Sequence, residues 1–272
     1  MQHALSTYVF ASQRLTPVLL DEIHQAGVPL IEIHPAQQHI DFRNRAQMNE
    51  LSLWFRDSRM KVHSLHSPVL FEDGELNIAE PVKAKRVVIV DEIKRALESA
   101  ERIPFRYLIQ HLGAGGEPFG ERAVDAAFTS LEELKLFAKH LGVEILLENI
   151  PNELSTCEAL LTFLQRTHLD LNFCLDLGHA HLYEGVANAY RLLKPQIRST
   201  HVHDNNGEED SHLFPFADGT IDWTEAMELL RSTGDQYPLV LELRETPEKP
   251  NLLDEVQRVF DQLEELKPRH ES

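Results

Sequence analysis

Cysteine, basic charge and long apolar runs are all scarce in this chain, and each scarcity narrows what it can be. Only two cysteines, Cys157 and Cys174, occur in 272 residues. They form no CxxC pair, so a disulfide framework is not expected and the usage suits a reducing cytosol. Lysine and arginine total 26 against 44 acidic residues, a formal net charge of −18. Such a charge repels polyphosphate unless a local basic patch or bound cations overcome it, which disfavours nucleic acid as a partner without excluding it. No stretch approaches the roughly 18 apolar residues of a membrane helix, and MQHALSTYVFASQRL has no basic segment leading into an apolar one. A soluble, cytoplasmic protein with no membrane partner is therefore expected, and a homo-oligomer is compatible with the sequence. No linker rich in Pro, Gly or Ser divides the chain, so residues 1–272 read as one domain, with 42% apolar residues to fill its core.

What is present is alternation. Eight short β-rich runs recur along the chain: STYVFA, PLIEIHP, KVHSLHSP, FRYLIQHLG, VEILLENIP, LNFCLDLGH, IRSTHVHD and YPLVLELRE. Helical stretches separate them. In SLEELKLFAKHLG, residues 130–142, Leu131, Leu134, Phe137, Ala138 and Leu141 share a face and Gly142 supplies a stop. Thr16-Pro17 and Ile221-Asp222-Trp223 introduce further helices. Strict alternation argues for a parallel sheet covered by helices, and eight repeats favour closure into an α/β fold of the (β/α)8 TIM-barrel type. The segment GAGGEPFGER, residues 113–122, lacks the GxGxxG spacing and reads as a loop.

From the third strand onward nearly every run ends in a coordinating side chain: His66, His111, Glu148, Asp176, His201 and Glu242. In a parallel barrel these ends meet on the catalytic face. Alternation puts them in phase with earlier inward residues, as in Tyr107, Ile109 and His111, or Cys174 and Asp176. Carboxylates converging in a partly desolvated mouth are costly, and imidazole nitrogens with carboxylate oxygens are what divalent cations bind. The loop Asp210-Ser211-His212 adds two more such groups. A lone histidine such as His24 or His168 is more often a surface or satisfied residue. Six at six strand ends point to a metal site.

At these residues, above all CLDLGHAH (174–181) and HVHDN…DSH…DGTIDW (201–223), the sequence resembles the xylose-isomerase-like barrel superfamily over nearly its whole length. That superfamily includes sugar isomerases and epimerases and the endonuclease IV type of AP endonuclease, family 2. The resemblance implies Glu148, Asp176, His201 and Glu242 as ligands of one divalent ion. The trinuclear arrangement of the endonucleases would add His66 and His111, sharing Glu148, and a third site of His179, Asp210 and His212. One to three ions of Zn, Mn, Co or Fe are compatible with this mixed set.

Two enzyme classes follow. A sugar or sugar-phosphate isomerase or epimerase moves a proton next to a carbonyl or hydroxyl, and in the similar epimerases the two metal-binding glutamates, here Glu148 and Glu242, exchange it. His179 would bind a substrate oxygen, with His66, His203 and Arg244 also expected to meet substrate, unless Arg244 pairs with Glu245 or another rim acid. Trp54, Phe71, Phe119, Phe214 and Trp223 could give a sugar its apolar wall, though most of them are expected to be core or rim packing. The alternative is a metal-dependent phosphodiesterase acting on abasic DNA, with Arg43 and Arg45 near phosphates. The net charge opposes it, and Ser67-Pro68-Val69-Leu70-Phe71 departs from the Tyr-Leu wedge of the endonucleases. A third reading is a non-catalytic, metal-stabilised binding barrel, whose site would be coordinatively closed.

Overall fold

The computed structural model describes residues 1–71, 74–233, 237–245 and 251–268. Eight parallel strands close a barrel: β1 (His3–Ser6), β2 (Leu30–Ile33), β3 (Lys61–His66), β4 (Tyr107–His111), β5 (Glu144–Glu148), β6 (Asn172–Asp176), β7 (Ile197–Val202) and β8 (Leu239–Leu241). Each strand pairs with its sequence neighbours, and β1 pairs with β8 to complete the ring. The helices that follow them are α1 (Pro17–Gln25), α2 (Arg45–Asp57), α3 (Lys83–Glu98), α4 (Glu121–His140), α5 (Cys157–Thr167), α6 (Leu177–Leu182), α7 (Val186–Leu193), α8 (Trp223–Arg231) and α9 (Leu252–Glu265). Among the described residues, only the β6 to β7 connection carries two α-helices, because the short α6 springs directly from the end of β6. Among the described residues no helix is long and apolar enough to cross a membrane.

The helix signals act where the sequence places them. The Thr16 hydroxyl accepts from Leu19 N at 3.3 Å ahead of Pro17, and Asp222 caps α8 through Glu225 N at 3.1 Å. α4 buries Leu131, Leu134 and Ala138, and after it Gly142 takes a positive φ of 73°. On α9, Val256, Val259, Phe260 and Leu263 form one buried stripe, each side chain stabilising the fold by about 2 kcal/mol. The first strand departs from expectation. It is HALS, not STYVFA, because the Ser6 hydroxyl caps a 3-10 turn over Thr7–Phe10. The segment after His66 also gains an antiparallel hairpin, Leu70–Phe71 with Gly74–Glu75.

Two cores result. The larger lies between strands and helices, while Tyr107, Ile109, Leu146 and Cys174 form a small apolar floor inside the barrel. Above this floor the interior turns polar. Pairing of β2 with β3 slips by one residue, joining Ile31 to Val62 and Glu32 to Ser64 and skipping His63. The bulge turns His63 inward, where its Nε2 lies 3.1 Å from Ser199 Oγ.

Burial pushes the His63 imidazole down to about 4 from 6.5. Because its folded pKa is depressed, the unfolded chain binds the extra proton, so stability falls as pH drops from 6.5 towards 4. The shift corresponds to a loss of up to roughly 3 kcal/mol. Urea unfolding of metal-free wild type and His63→Gln across that window checks this: the variant's stability should fall less steeply, and parallel curves would refute it.

Candidate metal centre

The strand registers bring the coordinating groups to one level of the mouth. Asp176 pairs with His201, and Glu148 pairs with both His111 and Cys174. Glu242 follows β8, and its backbone N donates to Val202 O at 3.2 Å. Ligand atoms of Glu148, Asp176, His201 and Glu242 consequently all lie within 4.8 Å of one another. His201 Nδ1 stands 2.8 Å from Glu148 Oε1, 3.3 Å from Glu242 Oε2 and 3.7 Å from Asp176 Oδ2. All four residues are buried.

A second group, His66, His111 and Glu148, meets the other oxygen of the same glutamate: His111 Nε2 is 2.9 Å and His66 Nε2 3.4 Å from Oε2. A third joins His179, His203, Asp210 and His212. There His179 Nε2 lies 3.2 Å from Asp210 Oδ2, and His212 Nε2 lies 3.3 Å from Asp210 Oδ1. All nine positions expected from the sequence thus fall into three adjoining clusters, with Glu148 common to two.

Local structure explains the third cluster. Asp176 caps α6 by accepting from His179 N at 2.7 Å, which sets His179 one turn above the central group. Gly178 is required for this close approach, because a Cβ there would lie 2.0 Å from the His203 ring. Asp204 does not join the clusters; it accepts from Trp223 Nε1 at 2.6 Å and from Ile221 N at 3.1 Å. Its backbone also forms two 2.8 Å hydrogen bonds with Leu213. The HVHDN…DGTIDW pattern therefore locks the base of the loop that carries Asp210 and His212 over the mouth.

The electrostatics are those of an acid cluster compensated by imidazoles. Burial works to raise Glu148, but His201 and His111 hold it well below the usual carboxylate range. Asp176 is likewise lowered against burial by His179 and His203. Conversely, burial opposes protonation of His66 and His179, yet Glu148 lifts His66 to about 9, and Asp176 with Asp210 lifts His179 to about 10. His201, beside Cys174, Glu242, Glu32 and Glu148, is raised well above its ordinary value.

Protons here stand where divalent cations fit. Buried carboxylate oxygens and imidazole nitrogens converge at ligand spacing, and several rings are already fixed for coordination. His66 Nδ1 lies 2.8 Å from Ser67 O, His179 Nδ1 2.9 Å from Asn149 O, and His212 Nδ1 2.8 Å from Glu242 O. A carbonyl only accepts, so each Nδ1 carries a proton and each Nε2 is left to face the acids.

Sequence reasoning missed two neighbours on β2 and just after it. Glu32 is buried and reaches His201 Nε2 at 3.0 Å, while His34 packs against Tyr8 and His66. Both stand in PLIEIHP, with the same alternation that marks the other strands. Arg244 is exposed at the rim, and the carboxylate of its neighbour Glu245 accepts from Ser12 N at 2.9 Å. Arg43 pairs with Glu92 at 2.5 Å, and Arg45 opens α2. Trp54 lies on the outer helix α2, bonded to Asp21, whereas Phe214 and Trp223 are buried. The side chain of Phe71 lies outside the described residues. A cavity of about 410 Å3 opens onto His111, His179 and Asp210, with Gly113, Gly115 and Gly116 in one wall and Val69, Leu76 and Ile150 among its apolar lining.

Comparison with known proteins agrees with the barrel fold. An uncharacterised protein of Methanocaldococcus jannaschii is 28% identical over 246 residues, covering 86% of this chain and 80% of that protein. A probable endonuclease 4 of Natronomonas pharaonis is 27% identical over 149 residues, 50% of this chain and 52% of that one. Across the curated relatives the matched part spans between 52% and 80% of their own length. Among solved structures, a D-tagatose 3-epimerase-like protein superposes with a TM-score of 0.79 at 24% identity, covering 98% of this chain and 97% of that one. The IOLI protein with a bound zinc atom superposes at 0.78 and 18% identity, covering 97% and 98%. The model of the xylose isomerase-like TIM barrel family matches residues 20–263, and the chain belongs to that family.

Proposed function

We propose that the protein is a divalent-metal-dependent isomerase or epimerase of a small sugar or sugar phosphate, working by proton transfer at a carbon next to a carbonyl or hydroxyl. The observation that carries this reading is the cavity itself. Its volume of about 410 Å3 suits a small molecule, and it opens directly onto the clustered acids and imidazoles. The lining includes Glu75 and Asp210 and, among the described residues, no lysine or arginine. A neutral polyol suits such walls better than a nucleic-acid backbone.

Glu148, Asp176, His201 and Glu242 would hold the principal ion. A divalent cation in that position supplies polarisation of substrate oxygens, which acidifies the neighbouring C–H. Glu148 and Glu242 come from the fifth and eighth strands and approach the mouth from different sides, so one would remove the proton and the other return it. His179 and His66 present Nε2 towards the acids and would bind substrate oxygens where no further ion occupies their clusters. His203, buried within the third cluster, would meet a substrate oxygen there, and Arg244 would contact the substrate from the rim.

The test is deuterium wash-in. Metal-loaded protein in D2O, incubated with a panel of ketoses and their phosphates and followed by proton NMR, should replace one C–H adjacent to the carbonyl in at least one compound. No exchange across the panel, together with cleavage of a duplex holding an abasic site, would sink the reading.

A second reading is a multinuclear phosphodiesterase, favoured by the sharing of Glu148 between two clusters and by the adjoining third. The double variant His66→Ala/His111→Ala separates the two. The isomerase should retain its principal ion by elemental analysis and at least a tenth of its rate, whereas the phosphodiesterase should lose one ion per chain and about a hundredfold or more in rate.

A further inference from the structure

His201 is held differently from the other clustered histidines. His66, His179 and His212 each turn Nδ1 to a backbone carbonyl and leave Nε2 to the acids. His201 is reversed: Nδ1 faces Glu148, Asp176 and Glu242, and Nε2 faces a carboxylate, Glu32 Oε2 at 3.0 Å. We infer that Glu32 is a positioning residue, fixing His201 with its proton on Nε2 and its Nδ1 lone pair directed at the principal metal position. This rests on the metal reading above and adds to it a residue outside the ligand set.

The barrel is built to hold Glu32 in that role. Strand register sets Ser6 beside Glu32 and Glu32 beside Ser64, so three adjacent strands contribute three polar side chains at one level. Ser6 Oγ donates to Oε1 at 3.1 Å and Ser64 Oγ to Oε2 at 2.8 Å. The one-residue slip at His63 makes this possible, since without it Glu32 would stand opposite His63. Both oxygens are thereby occupied as acceptors, and the carboxylate is fully buried.

A fourth carboxylate beside three others is costly to bury, and His201 is the group through which it can act on the ion they share. An anionic acceptor makes the imidazole a better electron donor than a carbonyl would. That distinction falls on the single nitrogen ligand of a cluster otherwise made of oxygens.

The experiment is zinc affinity by competition with a chromophoric chelator, for wild type, Glu32→Gln and Ser64→Ala, with the metal-free melting temperature and the cobalt(II) visible spectrum of each. Glu32→Gln should bind zinc about tenfold to a hundredfold more weakly and shift the cobalt bands, and Ser64→Ala should lose a few-fold. A glutamate with a merely structural role would lower the melting temperature and leave the affinity and spectrum of the folded protein unchanged, and that result overturns the inference. Should Glu32→Gln not fold, the double variant Ser6→Ala/Ser64→Ala, which frees the carboxylate, replaces it; wild-type affinity there also overturns it. If wild type binds no zinc or cobalt, the metal reading falls and takes this inference with it. If wild type binds and the variants bind equally well, the inference alone falls.

Discussion

Glu148→Gln is expected to lower the deuterium wash-in rate about a thousandfold or more while the barrel stays folded. The glutamine is nearly isosteric, so packing at a fully buried position is preserved. What disappears is the charge and half the acceptor capacity. Oε1 now serves His201 and Oε2 serves His111 and His66, and an amide can present an oxygen to only one side. The amide nitrogen must then face imidazoles that also donate. Loss of a general base is worth about a hundredfold to ten-thousandfold, and weakened metal holding adds to it. Circular dichroism would establish that the variant is folded. A rate within tenfold of wild type would remove Glu148 from both the proton-transfer and metal-binding assignments.

Stripping the metal with a chelator is expected to lower the melting temperature by roughly 10 °C. An ion present at about a thousand times its dissociation constant stabilises the folded state by about 4 kcal/mol, and for a chain of this size each kcal/mol moves the midpoint by about 2–4 °C. The effect has a pH sign. Burial opposes protonation of His201, yet the surrounding acids raise it well above its ordinary value in the metal-free protein, so a cation must displace its proton to use the ring. The shift on chelation should therefore be larger at pH 8 than at pH 6. Differential scanning calorimetry at the two pH values, with the metal restored afterwards, provides the check. An unchanged midpoint at pH 8 would mean that the buried acids are compensated by imidazolium alone.

The barrel was readable because its signals are local. Thr16, Asp222 and Gly142 mark helix boundaries through bonds or backbone angles within a few residues. The strand-end histidines and acids were readable for a related reason, since a two-residue repeat fixes which side of a strand each faces. The first strand was misplaced because STYVFA has β-favouring composition, whereas the choice between strand and turn depended on the Ser6 cap. Glu32 escaped notice although the same alternation holds for it, because its importance lies in a partner 169 residues away.

By itself the sequence determined the eight-fold alternation, the covering helices and the inventory of nine clustered acid and imidazole side chains, all consequences of periodicity and short-range chemistry. Tertiary structure alone decided how those nine divide. Inter-strand register put Glu148 between two clusters, the Asp204 anchor folded Asp210 and His212 over the mouth, and the slip at His63 carried Glu32 behind His201. Each depends on stagger between strands or on closure of a loop, and a linear pattern of residues does not encode the distances that those movements set.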